Sequence, residues 1–325
     1  MIKVITSRIE SNKNNINICI GTHNGIFHCD EVIAIAILAL LNKPRGDTFV
    51  IRSRNLDFLK QNTDFLVDIG EGEFDHHQKG GNGKRNNNVE YASAGLIWRK
   101  FGNYLIAYLS NFKLSSQETT EIANLIDHHI IQNIDLEDNG KSMANHPFKT
   151  ITSFLPCWNK NDNYDEKFEQ CANVACIELE NIIETYIANA LAPYELISRI
   201  NNNETHFENI LLIPCQTFPW ESGVINHNNN SEHKIDFIVF PYPDGGYALQ
   251  CVPPSLEDKF SQRIPLPETW AGETTNLPNI SGITSAIRCH NGRFFARAWD
   301  YSDIIKMCQL ATKEFLNNHN TTIQR

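Results

Sequence analysis

The sequence predicts an α/β protein: an N-terminal domain built on a parallel sheet with helices on both faces, followed by a smaller mixed α+β domain. Short β-branched segments in the first half alternate with segments of helical spacing, which is typical of parallel strands joined by helices. In the second half, strand-like segments are separated by short turns, which favours hairpins. The length of 325 residues is compatible with two domains of about 100–200 residues each.

The elements of the first domain follow from apolar runs and from the residues that end them. Residues 17–20 form a β-branched strand that leads into a turn-rich junction. Residues 29–41 are rich in Ala, Leu and Ile, and Asn42 and Pro44 end the helix that they predict. Because this helix is apolar on nearly all sides, we expect it to pack on the sheet. Further strands are predicted at residues 49–53 and 65–69, and further helices at 91–110 and 115–133.

A long helix over residues 165–199, broken near Pro193, precedes a polar linker at residues 201–204. We therefore place the domains at residues 1–200 and 205–325. In the second domain we expect strands at residues 210–213, 235–240, 247–252, 283–290 and 293–297. A closing helix is expected at residues 302–316. Pro-Asp-Gly-Gly at residues 243–246 predicts a hairpin turn. The Asn-rich runs, at residues 86–88, 201–203 and 228–230, predict solvated loops.

Composition limits the partners that the protein can have. With 28 basic and 38 acidic residues, the chain is not coated with basic surface, so a phosphate-bearing partner must meet a local basic pocket or metal ions. The nine cysteines include no C-x-x-C pair, which favours reduced thiols. The longest apolar run, residues 32–41, is about half of a membrane span. We expect a cytoplasmic protein without a membrane partner.

Candidate metal ligands occur in three clusters, each after a strand-like run. In chain order, the clusters contain His23, His28 and Asp30, then Asp68, and then Asp75, His76 and His77. Ligands bind where parallel strands end, so we expect these side chains to converge. Imidazoles and several carboxylates suit Mn²⁺, Fe²⁺ or Zn²⁺, and a mixed set with several aspartates favours Mn²⁺. Because the groups exceed what one zinc ion needs, the sequence predicts two cations that share a bridging carboxylate.

Each of these residues also has a simpler explanation. A single loop histidine is usually hydrogen-bonded or solvated, and Asp68 alone could cap a turn or helix; the joint occurrence of the clusters favours the metal site. A second Asp-His-His tripeptide, residues 127–129, falls within a helical run and predicts only a helix surface. The acidic segment 134–140, predicted as a turn, either caps a helix or supplies one more carboxylate, from Asp135 or Asp138.

These motifs resemble the DHH phosphoesterase superfamily, and within it the melanocyte-proliferating-gene-one (MYG-type) branch. In the first half the resemblance covers the segments GTHNGIFHCDE, FLVDIG, FDHHQKG, YASAGLIWRKFG and DNG. In the second half it covers FPWESG, QCVPP, QRIPLPETWAG and SGITSAIRCHNGRF. The ordered set is far more specific than the tripeptide alone.

The resemblance implies a DHH-type catalytic domain and a substrate-binding domain, with two metal ions, Mn²⁺ or alternatively Mg²⁺, facing a cleft. It implies that His23 and His28 hold one cation and that Asp30, His76 and Asp138 hold the other, with Asp138 preferred to Asp135. Asp68 would bridge the two cations. Asp75 would orient His76. His77 would face the scissile phosphate, to donate a hydrogen bond or carry a proton.

The implied activity is a 3′–5′ exonuclease acting on single-stranded RNA or short oligonucleotides. A small-substrate phosphatase or pyrophosphatase is the alternative within the superfamily, and a non-catalytic RNA-binding relative is the alternative outside enzymes. Candidate substrate-binding residues are Arg54, Lys79, Arg263, His290 and Arg293; Arg52 and Arg297 are weaker candidates. Trp220 and Trp270 could stack on bases, but tryptophans near prolines favour a core position.

Overall fold

The computed structural model describes residues 1–8, 16–141, 145–202, 206–259 and 261–323. The chain divides into two compact units, Met1–Ala190 and Leu191–Arg325. Each unit has its own sheet, parallel in the first and mixed in the second, so the predicted fold class is confirmed. Of the predicted linker at 201–204, residues 203 and 204 lie outside the described part of the chain.

In the described part of the chain, the first sheet contains four strands in the order β1-β3-β2-β4. Their bounds are Ile2–Val4 for β1, Ile18–Thr22 for β2, Thr48–Arg52 for β3 and Phe65–Leu66 for β4. All three pairings are parallel, and β1, too short to stand out in the sequence, was not predicted. Both faces are covered, since Ile20 and Val50 on one face and Cys19 and Ile51 on the other are buried.

Six α-helices accompany this sheet among the described residues. They are α1 Cys29–Asn42, α2 Leu56–Asn62, α3 Ser93–Leu109, α4 Ser116–Ile126, α5 Gln132–Asp138 and α6 Tyr164–Asn201. As its apolar character predicts, α1 is buried along almost its whole length. Leu59 of α2 packs against Cys19, Phe49 and Ile51 on one face of the sheet. The buried strands and α1 thus hold the loops that follow β2 and β4.

Two helices are longer than the sequence predicts. The segment that follows α4 continues through a π-helical stretch, Asp127–Ile131, into α5, so the predicted acidic turn is largely the last part of a helix. Likewise, α6 continues past Pro193. A proline inside a helix removes a backbone donor, and its ring crowds the carbonyl four residues earlier. Ala192 and Leu196 beside it are buried, so packing outweighs the cost of the proline.

The second sheet has six strands among residues 206–259 and 261–323, in the order β5-β6-β7-β8-β10-β9. The strands are β5 His206–Phe207, β6 Ile210–Leu212, β7 Phe237–Pro241, β8 Tyr247–Cys251, β9 Ala286–Cys289 and β10 Phe295–Ala298. The predicted hairpin joins β7 to β8. The helices are α7 Glu221–Asn230, α8 Leu277–Ser281 and α9 Tyr301–Ile323. Among the described residues, no helix is both long enough and apolar enough to cross a bilayer.

One of the predicted solvated loops is instead part of α7. Asn228 is buried, and its side-chain amide donates to the carbonyl of Ile235 while its oxygen accepts from the Ile235 N–H. These two hydrogen bonds satisfy the side chain inside the unit. The Asn-rich run 228–230 therefore includes a structural asparagine that composition alone did not reveal.

Gly95 of α3 allows α5 to approach closely. A Cβ at this position would lie 1.9 Å from Oδ2 of Asp135, a fully buried carboxylate that accepts from the Gly95 N–H and pairs with Arg85. Displacing this buried ion pair is costly, so we expect Gly95→Ala to lower the free energy of unfolding by about 3 kcal/mol. Urea denaturation measures the change.

Gly72→Ala is the matched control, because no atom lies within 4 Å of a Cβ there; its effect should stay below about 0.5 kcal/mol. Equal stability of the two variants would show that α3 and α5 do not approach each other as described.

Candidate metal centre

The ends of two neighbouring parallel strands place the first ligands together. His23 directly follows β2, and Asp68 lies just beyond β4, which is paired to β2 in parallel. The N–H of Val67 donates to the carbonyl of Gly21, which continues the pairing up to the residue before Asp68. Because parallel strands end at the same edge of a sheet, both side chains reach one place.

Asp68 has a backbone conformation that few residues adopt. Its φ of 59° lies in the left-handed region, which Asp tolerates better than most residues. Its Oδ1 accepts a hydrogen bond from the Ser93 hydroxyl at 3.0 Å, and its N–H donates to the carbonyl of Phe74. This local geometry turns the carboxylate toward both histidine clusters.

The first group of donors forms around His23. Its Nε2 lies 3.2 Å from Oδ2 of Asp68 and 3.1 Å from Oε1 of Glu31. Glu31 is in the first turn of α1, and its other oxygen lies 3.9 Å from Nδ1 of His28. One possible ligand atom from each of these four residues lies within 4.8 Å of the others.

The second group forms around His76. Its Nε2 lies 3.1 Å from Oδ2 of Asp138, 3.3 Å from Oδ1 of Asp68 and 3.7 Å from Oδ2 of Asp30. Asp138 is the last residue of α5. Asp135, the alternative ligand, instead pairs with Arg85 and accepts from the N–H of Gly95. The helix therefore directs Asp138, and not Asp135, to this group.

Asp75 contacts a different histidine from the one expected. Its Oδ1 accepts hydrogen bonds from the N–H of His77 at 3.1 Å and from Nδ1 of the same residue at 2.8 Å, while Oδ2 accepts from the N–H of Glu71. The expectation that Asp75 orients His76 was wrong, because the loop brings the next imidazole back onto the carboxylate. Because a carboxylate can only accept, Nδ1 of His77 carries the proton of this hydrogen bond, and the His77 side chain is largely exposed.

Burial and proximity shift the pKa values of these groups. Burial, together with the charges of Asp68 and Asp138, raises the pKa of Asp30 far above its usual range. Burial alone would lower the pKa of His23, but the carboxylates of Asp68 and Glu31 outweigh it and raise the pKa to about 10.

The pKa of His76 is likewise raised to about 10, since Asp138 and Asp68 outweigh the effect of burial. The two histidines in turn outweigh the burial of Asp68 and lower its pKa. Opposite charges within the cluster therefore outweigh the effect of burial on these three groups.

The donors fit divalent cations. Oδ1 of Asp30, Oε1 of Glu31 and Nε2 of His76 are buried atoms without a hydrogen-bond partner, and buried polar atoms are rarely left unpartnered. Several carboxylates with imidazoles form a set that suits Mn²⁺ and similar ions. Asp68 has one oxygen facing each histidine group, as a bridging ligand requires.

A cavity of about 680 Å³ opens beside these donors in the first unit. His23, His28, Asp68 and His77 contribute to its polar side. The rest of the lining includes Ile26, Leu56, Ile69 and Arg54.

The predicted substrate-binding residues belong to both units. In the first, Arg54 lines the cavity and donates to the carbonyl of Asn24, and Lys79 is exposed in a turn directly after the Asp-His-His cluster. In the second, Arg263 pairs with Asp236 at 2.8 Å. His290 is exposed and accepts from the N–H of Gly292, and Arg293 is half-buried.

Several weaker candidates have structural roles. The Arg52 side chain is buried, pairs with Asp165 and donates to the carbonyl of Gly25, while Trp220 and Trp270 are core residues. Arg297 donates to the carbonyl of Gly245.

The second Asp-His-His tripeptide, residues 127–129, is on a helix as predicted. Both of its histidines are exposed, and its Asp127 binds Arg85.

Glu31 and Ser93 contact the site but were not predicted as site residues. Glu31 directly follows Asp30, so the adjacent acidic residues were a visible signal, but acidic residues are common in the first turn of helices. Ser93 donates its hydroxyl to Asp68 and its N–H to Asp30. A serine at a helix start gives no indication of such a role.

Comparison with known proteins places the chain among MYG1 proteins. The model of "Uncharacterised protein family (UPF0160)", a MYG1 exonuclease family, matches residues 19–312. A MYG1 protein of Schizosaccharomyces pombe is 28% identical, over 92% of this chain and 98% of the relative. The MYG1 exonuclease of Homo sapiens is 29% identical, over 85% of this chain and 80% of the relative. The predicted resemblance to the MYG-type branch is confirmed.

Among solved structures, RecJ from Thermus thermophilus in complex with Mn²⁺ is 13% identical with a TM-score of 0.25. The alignment covers 92% of this chain and 52% of RecJ, so the chain spans about half the length of that protein. A TM-score this low does not establish a shared fold.

Adding Mn²⁺ should stabilise the metal-stripped chain. A ligand that binds only the folded state at 100 times its Kd adds about 2.7 kcal/mol. Asp138→Asn should reduce this gain, because it removes a carboxylate next to His76. The exposed Asp57 of α2 offers the control Asp57→Asn, which should respond as the unaltered chain does. Thermal unfolding with and without Mn²⁺ measures the effect, and an equal gain in both variants would argue against Asp138 as a ligand.

The affinity for Mn²⁺ should rise with pH. The pKa values of His23 and His76 are about 10 without a cation, so both imidazoles are protonated at neutral pH and a cation must displace these protons. Raising the pH from 7 towards 9 weakens this competition. Calorimetric titrations in buffers of different ionisation enthalpy measure affinity and proton release together. An affinity independent of pH, with no proton released, would contradict these protonation states.

Proposed function

The chain belongs to the uncharacterised protein family UPF0160, and we propose that it is a metal-dependent phosphodiester hydrolase that works as a 3′–5′ exonuclease on RNA or short oligonucleotides. The observation that carries the proposal is the convergence of three separate His/Asp clusters on one cavity at the strand ends. The human and mouse relatives are named MYG1 exonuclease, which supports a nucleic-acid substrate. Two Mn²⁺ ions, or alternatively Mg²⁺, are the proposed cofactors.

His23, His28, Asp30, Asp68, His76 and Asp138 are the residues that would hold the cations. Bound there, the cations would lower the pKa of a water molecule and stabilise the charge that develops on the phosphate in the transition state. Ser93 holds both Asp30 and Asp68 by hydrogen bonds. The geometry of the acidic groups is thus fixed by the chain before a substrate arrives.

His77 is the proposed catalytic residue of the cavity. Asp75 accepts the Nδ1 proton of His77, which fixes the tautomer and leaves Nε2 available to the substrate. The side chain is largely exposed and lines the cavity. Nε2 can therefore accept a proton from, or when protonated donate one to, a phosphate or leaving-group oxygen.

The form of the cavity favours a nucleotide over pyrophosphate. Its volume of about 680 Å³ falls in the range of sites that hold organic ligands, about 300–1,000 Å³. Ile26, Leu56 and Ile69 provide apolar contacts that a base can use and an inorganic anion cannot. Arg54 offers a positive charge to a phosphate of the nucleic-acid substrate.

Activity on a labelled five-nucleotide RNA tests the proposal. With Mn²⁺, a 5′-labelled RNA should shorten one nucleotide at a time, and a 3′-labelled RNA should release a labelled mononucleotide at once. His76→Ala should lower kcat/KM by at least about 10²-fold. His128→Ala is the matched control, because His128 holds the same place in the other Asp-His-His tripeptide and is exposed; its activity should be unchanged.

The same assay with a DNA five-mer and with pyrophosphate separates the alternatives. Orthophosphate released from pyrophosphate, with RNA and DNA left intact, would replace the exonuclease with a small-substrate phosphatase. Binding of RNA without hydrolysis of any substrate would identify a non-catalytic RNA-binding protein.

A further inference from the structure

We propose that Glu31 is a direct ligand of the cation held by His23 and His28. This inference rests on the proposed metal-dependent function and extends its ligand set by one residue. Glu31 lies in the first turn of α1, and its side chain is completely buried. The helix N-terminus alone accounts for an acidic residue at this position, so the argument depends on where its two oxygens lie.

One oxygen of Glu31 has a structural role. Oε2 accepts a hydrogen bond from the N–H of His28 at 2.8 Å, which closes a capping box at the start of α1. This bond fixes the rotation of the carboxylate. As a result Oε1 lies 3.1 Å from Nε2 of His23, yet it is a buried atom without a hydrogen-bond partner.

The two ring nitrogens of His23 show whether Glu31 binds the metal itself or only orients His23. A residue that only orients a metal-bound histidine contacts the ring nitrogen that does not bind the metal. For His23 that place is occupied, because Nδ1 lies 3.3 Å from the carbonyl oxygen of Asn24. Oε1 of Glu31 instead shares Nε2 with Oδ2 of Asp68. These three atoms can all bind one cation. The single proton on Nε2 of His23, in contrast, can form a good hydrogen bond with only one of the two carboxylates.

Charge balance supports the same assignment. Burying an unpaired carboxylate is costly, and Glu31 needs a positive charge nearby. Arg52 acts on Glu31 electrostatically, but its hydrogen bonds go to Asp165 and to the carbonyl of Gly25. With neutral imidazoles, the four carboxylates of Asp30, Glu31, Asp68 and Asp138 would balance two divalent cations, and without Glu31 one positive charge would be left over.

The test measures Mn²⁺ binding to the metal-stripped chain by calorimetry and does not depend on activity. Glu31→Gln keeps an oxygen that can cap His28 but removes the charge. We expect this variant to lose one of the two Mn²⁺ sites, or to weaken it by more than about 100-fold, which exceeds the loss of about 10–100-fold that is typical of a residue that only orients a ligand. Glu118→Gln is the matched control, because Glu118 closes the capping box of α4 away from the cavity; both sites should remain.

A crystal of the unaltered chain soaked in Mn²⁺ gives a second measurement that no folding defect can affect. An anomalous peak bonded to a Glu31 oxygen supports the proposal. A peak bonded to His23 but to neither Glu31 oxygen overturns it, as does wild-type Mn²⁺ binding by Glu31→Gln. Absence of RNA hydrolysis by a chain that still binds Mn²⁺ through Glu31 would contradict the proposed function and leave this inference intact.

Discussion

Electrostatic repulsion among buried carboxylates is the constraint on which the site depends. Asp30, Glu31 and Asp68 are almost completely buried in adjoining positions, and like charges in such a place are unfavourable unless cations or protons balance them. Protonated His23 and His76 can provide the balance in the metal-free chain, which explains why their pKa values rise to about 10. Divalent cations would supply positive charge in place of these protons, and would free the imidazoles to act as ligands.

The rest of the first unit holds these groups against their repulsion. The central strand β2 ends at the residue before His23, the edge strand β4 ends two residues before Asp68, and α1 starts at the residue before Asp30. The apolar residues of α1 are buried, so the free energy of burying that helix supports a cluster that is unfavourable by itself. The left-handed backbone conformation of Asp68 also costs free energy, which the packing of the unit must outweigh.

The fold and much of the candidate site could be predicted because they depend on local patterns. β-branched runs indicated β2 and β3, and polar residues near the ends of strand-like runs indicated His23 and Asp68. Contacts that depend on exact backbone angles could not be predicted. The sequence of residues 75–77 does not reveal that Asp75 forms a hydrogen bond with His77. The acidic segment that ends near Asp138 is helical because of its packing, which the local sequence pattern does not show.

Helical geometry shows why adjacent residues take different roles. Successive side chains on an α-helix point about 100° apart, so Asp30 and Glu31 cannot face the same point: Asp30 lies near His76 and Ser93, and Glu31 near His23. Residues 127–129 lie instead in the π-helical stretch, where both histidines are exposed. In the loop that holds residues 75–77, the backbone is not helical, and both histidines come within 3.4 Å of Asp68. The tripeptide 75–77 can therefore take part in the site because it lies close to Asp68, which follows strand β4.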